Sequence, residues 1–264
     1  MKADMGELSR TKYYSFSDFS ERRYQSGFAG KEATQLMAMY ETSHQKKNPT
    51  ILELGTQKGK STALFLQACD ETDGRLVSVD IDDCSDVAVS PRWQFVQSDS
   101  TNVSHILEQA PYLADGIDIL YADSLHKREH VEREVMGWYP YMNREAWIFL
   151  DDVDSNPYRQ GHRKDNYGNE LDWDAIETFI REFFYANEDE LFLSISYGST
   201  GLASLYKTSE RGTIPKSARP IRRRHHNAFA MMRHQPSLLK SHLQERWGRG
   251  WRSLFREGSS SQHR

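Results

Sequence analysis

Five short apolar runs, each closing on an acidic residue, constrain this chain more than any other feature. They are "PTILELG" (49–55), "GRLVSVDID" (74–82), "RWQFVQSDS" (92–100), "GIDILYAD" (116–123) and "AWIFLDD" (146–152). The most apolar of them do not alternate with polar residues, which suits strands covered on both faces, as in a parallel sheet. Helical stretches separate them, at 60–70, 101–110 and 126–139, the last with Val131 and Val135 on one face. A further helix is expected before the first run, from Lys31 to about His44, and another after the fifth, over 173–186. "ELFLSISYG" and "TGLASLYK" then read as a hairpin across a Gly-Ser-Thr-Gly turn. The alternation predicts an α/β, doubly wound, mostly parallel seven-stranded sheet ending in an antiparallel C-terminal hairpin.

Such sheets place ligands at the carboxyl ends of their strands. Here those ends are Glu53/Gly55, Asp80, Asp99, Asp123 and Asp151/Asp152. A single acid in that position is a turn residue or a helix cap. Five in succession describe an acidic, hydrogen-bond-accepting crevice along one edge of the sheet.

The loop "GTQKGKS" (55–61) limits which phosphate chemistry fits. A phosphate-cradling P-loop needs four residues between its glycines, whereas Thr56, Gln57 and Lys58 supply three. The Gly-x-Gly-x-x-Gly dinucleotide fingerprint is absent. What remains is Glu53-x-Gly55-x3-Gly59-x-Ser61, followed after the second strand by Asp80, which can accept two hydrogen bonds from a ribose diol.

In order and spacing, "ILELGTQKGKST", "LVSVDID", "VQSDS", "DSLH" and "FLDDV" resemble the class I S-adenosylmethionine-dependent methyltransferases. The likeness is greatest to the branch with cephalosporin-hydroxylase-like and macrolide-sugar O-methyltransferases, and it covers about residues 30–206. The resemblance implies a Rossmann-like methyltransferase fold with S-adenosylmethionine as cofactor. Glu53, Gly55, Thr56, Gly59 and Ser61 would belong to the cofactor loop. Asp80 would bind the ribose, Ser98 and Asp99 would lie near the adenine, and Asp123 would close the cofactor site. In metal-dependent members an acid after the fourth strand and two adjacent residues after the fifth hold a divalent cation. Those positions are Asp123, Asp151 and Asp152 here, with His126 in the place of the base. The chain departs from the family pattern at Gln57, at Asp123-Ser124-Leu125-His126 and at "NRE" (143–145), which leaves the substrate open.

Methyl transfer from a sulfonium is an in-line displacement that needs a deprotonated, closely held acceptor oxygen. A Mg²⁺ ion among hard carboxylate oxygens would acidify a hydroxyl, and a histidine near neutrality could take its proton. The expected partner is therefore a small-molecule hydroxyl acceptor, on a sugar-bearing or phenolic compound. An RNA or protein methyltransferase, and a non-catalytic binding protein that keeps the crevice, are the alternatives.

Composition sets the remaining bounds. The chain of 264 residues suits one α/β domain with extensions. The expected divisions are an aromatic-rich N-terminal extension or lid (1–30), the methyltransferase domain (31–207, with a lid-like insert at 154–172) and a C-terminal tail (208–264). The net charge of -4 conceals thirteen Lys/Arg against three Asp/Glu in that tail. Leu239, Leu243, Trp247 and Trp251 share a helical face there, so the tail suits an anionic surface, nucleic acid or the acidic body of a second subunit in a homo-oligomer. Only Cys69 and Cys84 occur, without metal-site spacing, which fits a reducing, cytoplasmic compartment. There is no apolar leader region, and no run approaches the length of a membrane span.

Overall fold

The computed structural model describes residues 9–159 and 166–221. Its strands are β1 (Arg10–Thr11), β2 (Thr50–Leu54), β3 (Arg75–Asp80), β4 (Ala88–Val89), β5 (Trp93–Gln97), β6 (Ile117–Ala122), β7 (Met142–Asp151), β8 (Leu191–Ser196) and β9 (Leu202–Lys207). Its helices are α1 (Phe16–Arg22), α2 (Phe28–His44), α3 (Lys60–Thr72), α4 (Val103–Gln109), α5 (Arg128–Trp138), α6 (Asn156–Arg159) and α7 (Tyr167–Ala186). Seven strands form one sheet in the order β5-β3-β2-β6-β7-β9-β8. The first five are parallel, and β9 runs antiparallel to both β7 and β8.

Both faces of the inner strands β2, β3 and β6 are covered, which is why their sequences lack alternation. Leu52, Leu54, Val77, Val79, Leu120, Ile148 and Leu150 pack under α4, α5 and α7, against residues such as Val135, Trp138 and Phe179. Their neighbours Ile51, Leu76, Ile119, Tyr121 and Phe149 turn the other way, onto Leu36 and Met39 of α2 and Phe65 of α3. Strand side chains point alternately up and down, so a two-sided core requires apolar residues at every position.

The chain builds β3 and β5 on one side of β2 and then returns to lay β6 on the other. This reversal opens a crevice between the carboxyl ends of β2 and β6, where ligands bind in doubly wound sheets. At that point the Asp123 N–H donates to the Leu54 carbonyl at 2.8 Å.

The structure differs from expectation in five places. Residues 16–22, which show no period, form α1 behind a capping box of Ser15 and Asp18; only Phe19 of that helix is buried, so no apolar stripe marks it. α2 starts three residues before Lys31. α7 starts at Tyr167 rather than 173, because Asn166 accepts from the Asn169 N–H and caps it there. β7 starts at Met142, where a register shift opposite Ile117/Ile119 interrupts the apolar pattern. A two-stranded ribbon of β1 and β4 is also present and was not foreseen. The tail helix and the centre of the insert (160–165) fall outside the described residues.

Candidate active site

The glycine loop is held from below and from the side. Beneath it lies Glu53, fully buried. Its carboxylate accepts from Ser61 Oγ at 2.5 Å, Thr62 Oγ1 at 2.8 Å and Ser78 Oγ at 2.5 Å, tying β2 to the start of α3 and to β3. Burial pushes the carboxyl up to about 7, against those three hydroxyls, with the charge of Asp123 adding to the rise. From the side, Asp80 Oδ2 accepts the Thr56 and Gln57 amides at 2.8 and 2.9 Å, and Oδ1 accepts from the Asp82 amide at 3.0 Å.

Gly55 is needed because the loop crosses the end of β6. Its φ is +97°, and a Cβ there would lie 2.1 Å from the Asp123 carbonyl oxygen. Gly59, at φ +72°, has Val87 in the same role. Both glycines thus answer to neighbouring protein atoms. Thr56 Oγ1 is buried with no hydrogen-bond partner among the described residues.

On the β5 side, the Ser98 amide donates to the Asp80 carbonyl at 2.9 Å. Asp99 follows, exposed, with its carboxyl held below the usual range by the side chain and amide of Thr101.

The acids after β6 and β7 form a closed ring of hydrogen bonds with two other side chains. The buried Tyr121 hydroxyl lies 3.0 Å from both Asp123 Oδ2 and Asp151 Oδ2. Asp123 Oδ1 meets His126 Nε2 at 3.0 Å, and His126 Nδ1 meets Asp152 Oδ2 at 2.5 Å. The Asp152 amide closes the ring on Asp151 Oδ1 at 2.8 Å. Asp152 adopts φ +57°, a left-handed conformation that aspartate tolerates better than most residues. Strand alternation turns Asp151 towards α2, where Thr200 Oγ1 donates to it at 2.7 Å.

Asp123, His126 and Asp152 each offer a ligand atom within 4.8 Å of the others. Asp151 stands beside this trio, linked through Tyr121 and the Asp152 amide. Burial alone would lower the His126 pKa, but hydrogen bonds and charges from Asp123 and Asp152 outweigh it and raise the value to about 11. Both carboxylates therefore favour the protonated imidazole between them. The Asp151 carboxyl is pushed up by burial first, and then by the charges of Asp123 and Asp152.

A cleft opens beside the ring, lined among others by Gln35, Lys60, Ser61, Tyr121, Asp123 and Asp151. Lys60 reaches Glu32 of α2 at 2.7 Å, and Gln35 donates to the carbonyls of Ser196 and Gly198, so α2 and the hairpin wall the cleft. Tyr121, Thr200, Glu32 and Gln35 were not anticipated. Tyr121 carries a weak signal, sitting two residues before Asp123 and hence on the same strand face. Thr200 carries none.

Residues 52–153 match a family model described as a methyltransferase domain. No curated protein matches the chain. Among solved structures, the MycE methyltransferase from the mycinamycin biosynthetic pathway, in complex with Mg and SAH, superposes with a TM-score of 0.51 at 17% identity, over 78% of this chain and 58% of that one. The same enzyme with Mg, SAH and mycinamycin VI gives 0.51 at 18%, with the same coverage. The SAH-bound methyltransferase PaMTH1 of Podospora anserina gives 0.51 at 13%, over 76% of this chain and 90% of that one. The chain thus spans 58% of the length of the mycinamycin enzyme, and at these identities the likeness is one of fold. The methyltransferase-domain match thus lies across the residues that build the switch-point crevice, and the fold is one shared with SAH-bound methyltransferases.

Proposed function

We propose that this enzyme is an O-methyltransferase that transfers the methyl group of S-adenosylmethionine to a hydroxyl of a sugar-bearing or phenolic small molecule, with Mg²⁺ at the acidic ring. The observation that carries this reading is the ring itself, which gathers Asp123, Asp151, Asp152 and His126 at the edge of the switch-point crevice. It also accords with the complex of the mycinamycin enzyme with Mg, SAH and mycinamycin VI.

Glu53, Gly55, Thr56, Gly59 and Ser61 form the cofactor loop in this proposal, with Ser98, Asp99 and Asp123 along the same edge. Asp80 has accepted three amides and, as a carboxylate with about four lone-pair sites, has one left for a ribose hydroxyl. The buried hydroxyl of Thr56, without a partner among the described residues, fits a polar ligand at the loop.

The converging donors are oxygens of Asp123 and Asp152 and the imidazole of His126, with Asp151 beside them and no thiolate, which supports a hard divalent ion held by Asp123 and Asp152 with Asp151 as the proposed third carboxylate. When bound, such an ion lowers the pKa of an acceptor hydroxyl and orients it. His126 sits where it can take the released proton, and it becomes a base only once Asp123 and Asp152 draw their positive charge from another source. Lys60, Glu32 and Gln35 shape the polar wall against which the acceptor is held. We place the enzyme in the cytoplasm on its cysteine content; no helix among the described residues is long and apolar enough to cross a membrane.

Calorimetric titration of S-adenosylmethionine into wild type and Asp80→Ala, with Mg²⁺ and with EDTA, tests the reading. Micromolar binding to the wild type, lost in Asp80→Ala, is expected, with a Mg²⁺-dependent heat that disappears in Asp152→Asn. A folded wild type that gives no heat with S-adenosylmethionine would refute the cofactor, and one that binds identically in EDTA and ignores Mg²⁺ would refute the cation.

A further inference from the structure

Behind the crevice, on α5, a carboxylate lies fully buried without touching the cleft. Glu134 Oε1 accepts from Ser100 Oγ and from Ser124 Oγ, each at 2.5 Å, and Glu134 is wholly inaccessible to solvent. Its second oxygen has no hydrogen-bond partner among the described residues. His130 Nε2 stands 2.9 Å from Ser100 Oγ, with its Nδ1 facing Arg133 at 3.4 Å, and Trp138 Nε1 donates to the Ser100 carbonyl at 3.0 Å.

Burying a carboxylate is costly, and an apolar residue of similar volume often fills such a site with equal or better stability. The same helix does so at Val131 and Val135. What an apolar residue cannot do at 134 is receive two hydroxyls from two separate loops. Ser100 directly follows Ser98-Asp99 after β5, and Ser124 directly follows Asp123 after β6. These strands are not neighbours, since β3 and β2 lie between them. The ladders through β3 and β2 space the strands themselves; past the strand ends a single oxygen of Glu134, which also lies 3.3 Å from His130 Nε2, joins the two loops directly.

We infer that Glu134 is a positioning residue for the adenosine end of the cofactor, a bridge whose two arms, Ser100 and Ser124, fix the distance between the loops that carry Asp99 and Asp123. The inference rests on the proposed placement of the cofactor between those loops. A bridge differs from two independent stabilising contacts in one respect: once either arm is cut, cutting the other changes nothing more.

The test is calorimetric titration of S-adenosylhomocysteine into the full chain as wild type, Ser100→Ala, Ser124→Ala, the double variant and Glu134→Gln. Each serine change alone is expected to weaken binding about tenfold, the scale of one hydrogen bond to a charged group, and the double variant to be no weaker than either. Glu134→Gln, whose amide oxygen still accepts both hydroxyls, restores affinity to within about threefold of wild type. Amide exchange supplies a reading that needs no ligand: Ser124→Ala speeds exchange across residues 98–102, on the other loop. Unchanged affinity in folded single variants, or additive losses in the double, overturns the bridge. A wild type that binds no S-adenosylhomocysteine overturns the cofactor placement, and exchange at 98–102 that ignores Ser124→Ala overturns the bridge by itself.

Discussion

Glu53→Gln isolates the balance that holds the glycine loop. The Glu53 carboxyl is fully buried, and burial raises it from 4.5 to about 7 although three hydroxyls donate to it. A group whose folded pKa lies above its unfolded one binds more protons in the folded state between those two values. Stability then falls as pH rises through that window. Below about 4.5 both states hold the proton and the group contributes no pH dependence; above about 7 the full penalty is present. At about 1.4 kcal/mol per tenfold in proton affinity, the move from 4.5 to about 7 amounts to about 3 kcal/mol. Glutamine has the shape of the protonated acid and cannot ionise. Urea unfolding followed by tryptophan fluorescence, from pH 5 to 8, should find the variant close to wild type at the acid end. It should gain on wild type by up to about 3 kcal/mol towards pH 8. If the hydroxyls of Ser61, Thr62 and Ser78 outweigh burial, the folded pKa is depressed and the gap opens in the opposite direction, with glutamine the poorer residue at pH 8. That outcome, or a gap independent of pH, would refute the account of Glu53.

Other consequences follow from single contacts. Gly55→Ala sets a Cβ 2.1 Å from the Asp123 carbonyl oxygen at a φ of +97°, and thermal unfolding should register a loss of about 2 kcal/mol or more, accompanied by weaker binding of S-adenosylmethionine. Lys207 is fully buried and its ammonium donates to the carbonyls of Met142, Ser209 and Glu210, so Lys207→Met should cost about 3 kcal/mol in urea unfolding by leaving those oxygens unpaired. At pH 7.5 the His126 imidazolium, raised to about 11, should lose about one proton when Mg²⁺ binds; titrations in buffers of different ionisation enthalpy measure that proton, and His126→Gln should abolish its release.

The strands and the edge at which they present their acids could be read from sequence because a sheet covered on both faces leaves an unbroken apolar signature, and because each run stops where the chain meets water. The helix α1 could not: it buries one side chain, Phe19, and a helix without an apolar stripe has no period to detect. The start of β7 was hidden by the same logic, since Asn143, Arg144 and Glu145, which follow the buried Met142, are not buried.

At the site, sequence by itself determined which residues stand at the strand ends, because position along a strand is a local property. It could not determine how they meet. That Asp151 turns towards α2 while Asp152 faces His126 follows from the alternation of β7 and from the left-handed backbone at Asp152. The places of Tyr121 between two carboxylates, of Thr200 on Asp151 and of Glu134 beneath two loops depend on strand order, which brings segments 30 to 49 residues apart within hydrogen-bonding distance. Strand order is a long-range outcome of packing with no local sequence mark, so only the tertiary structure decides which of the legible acids act together.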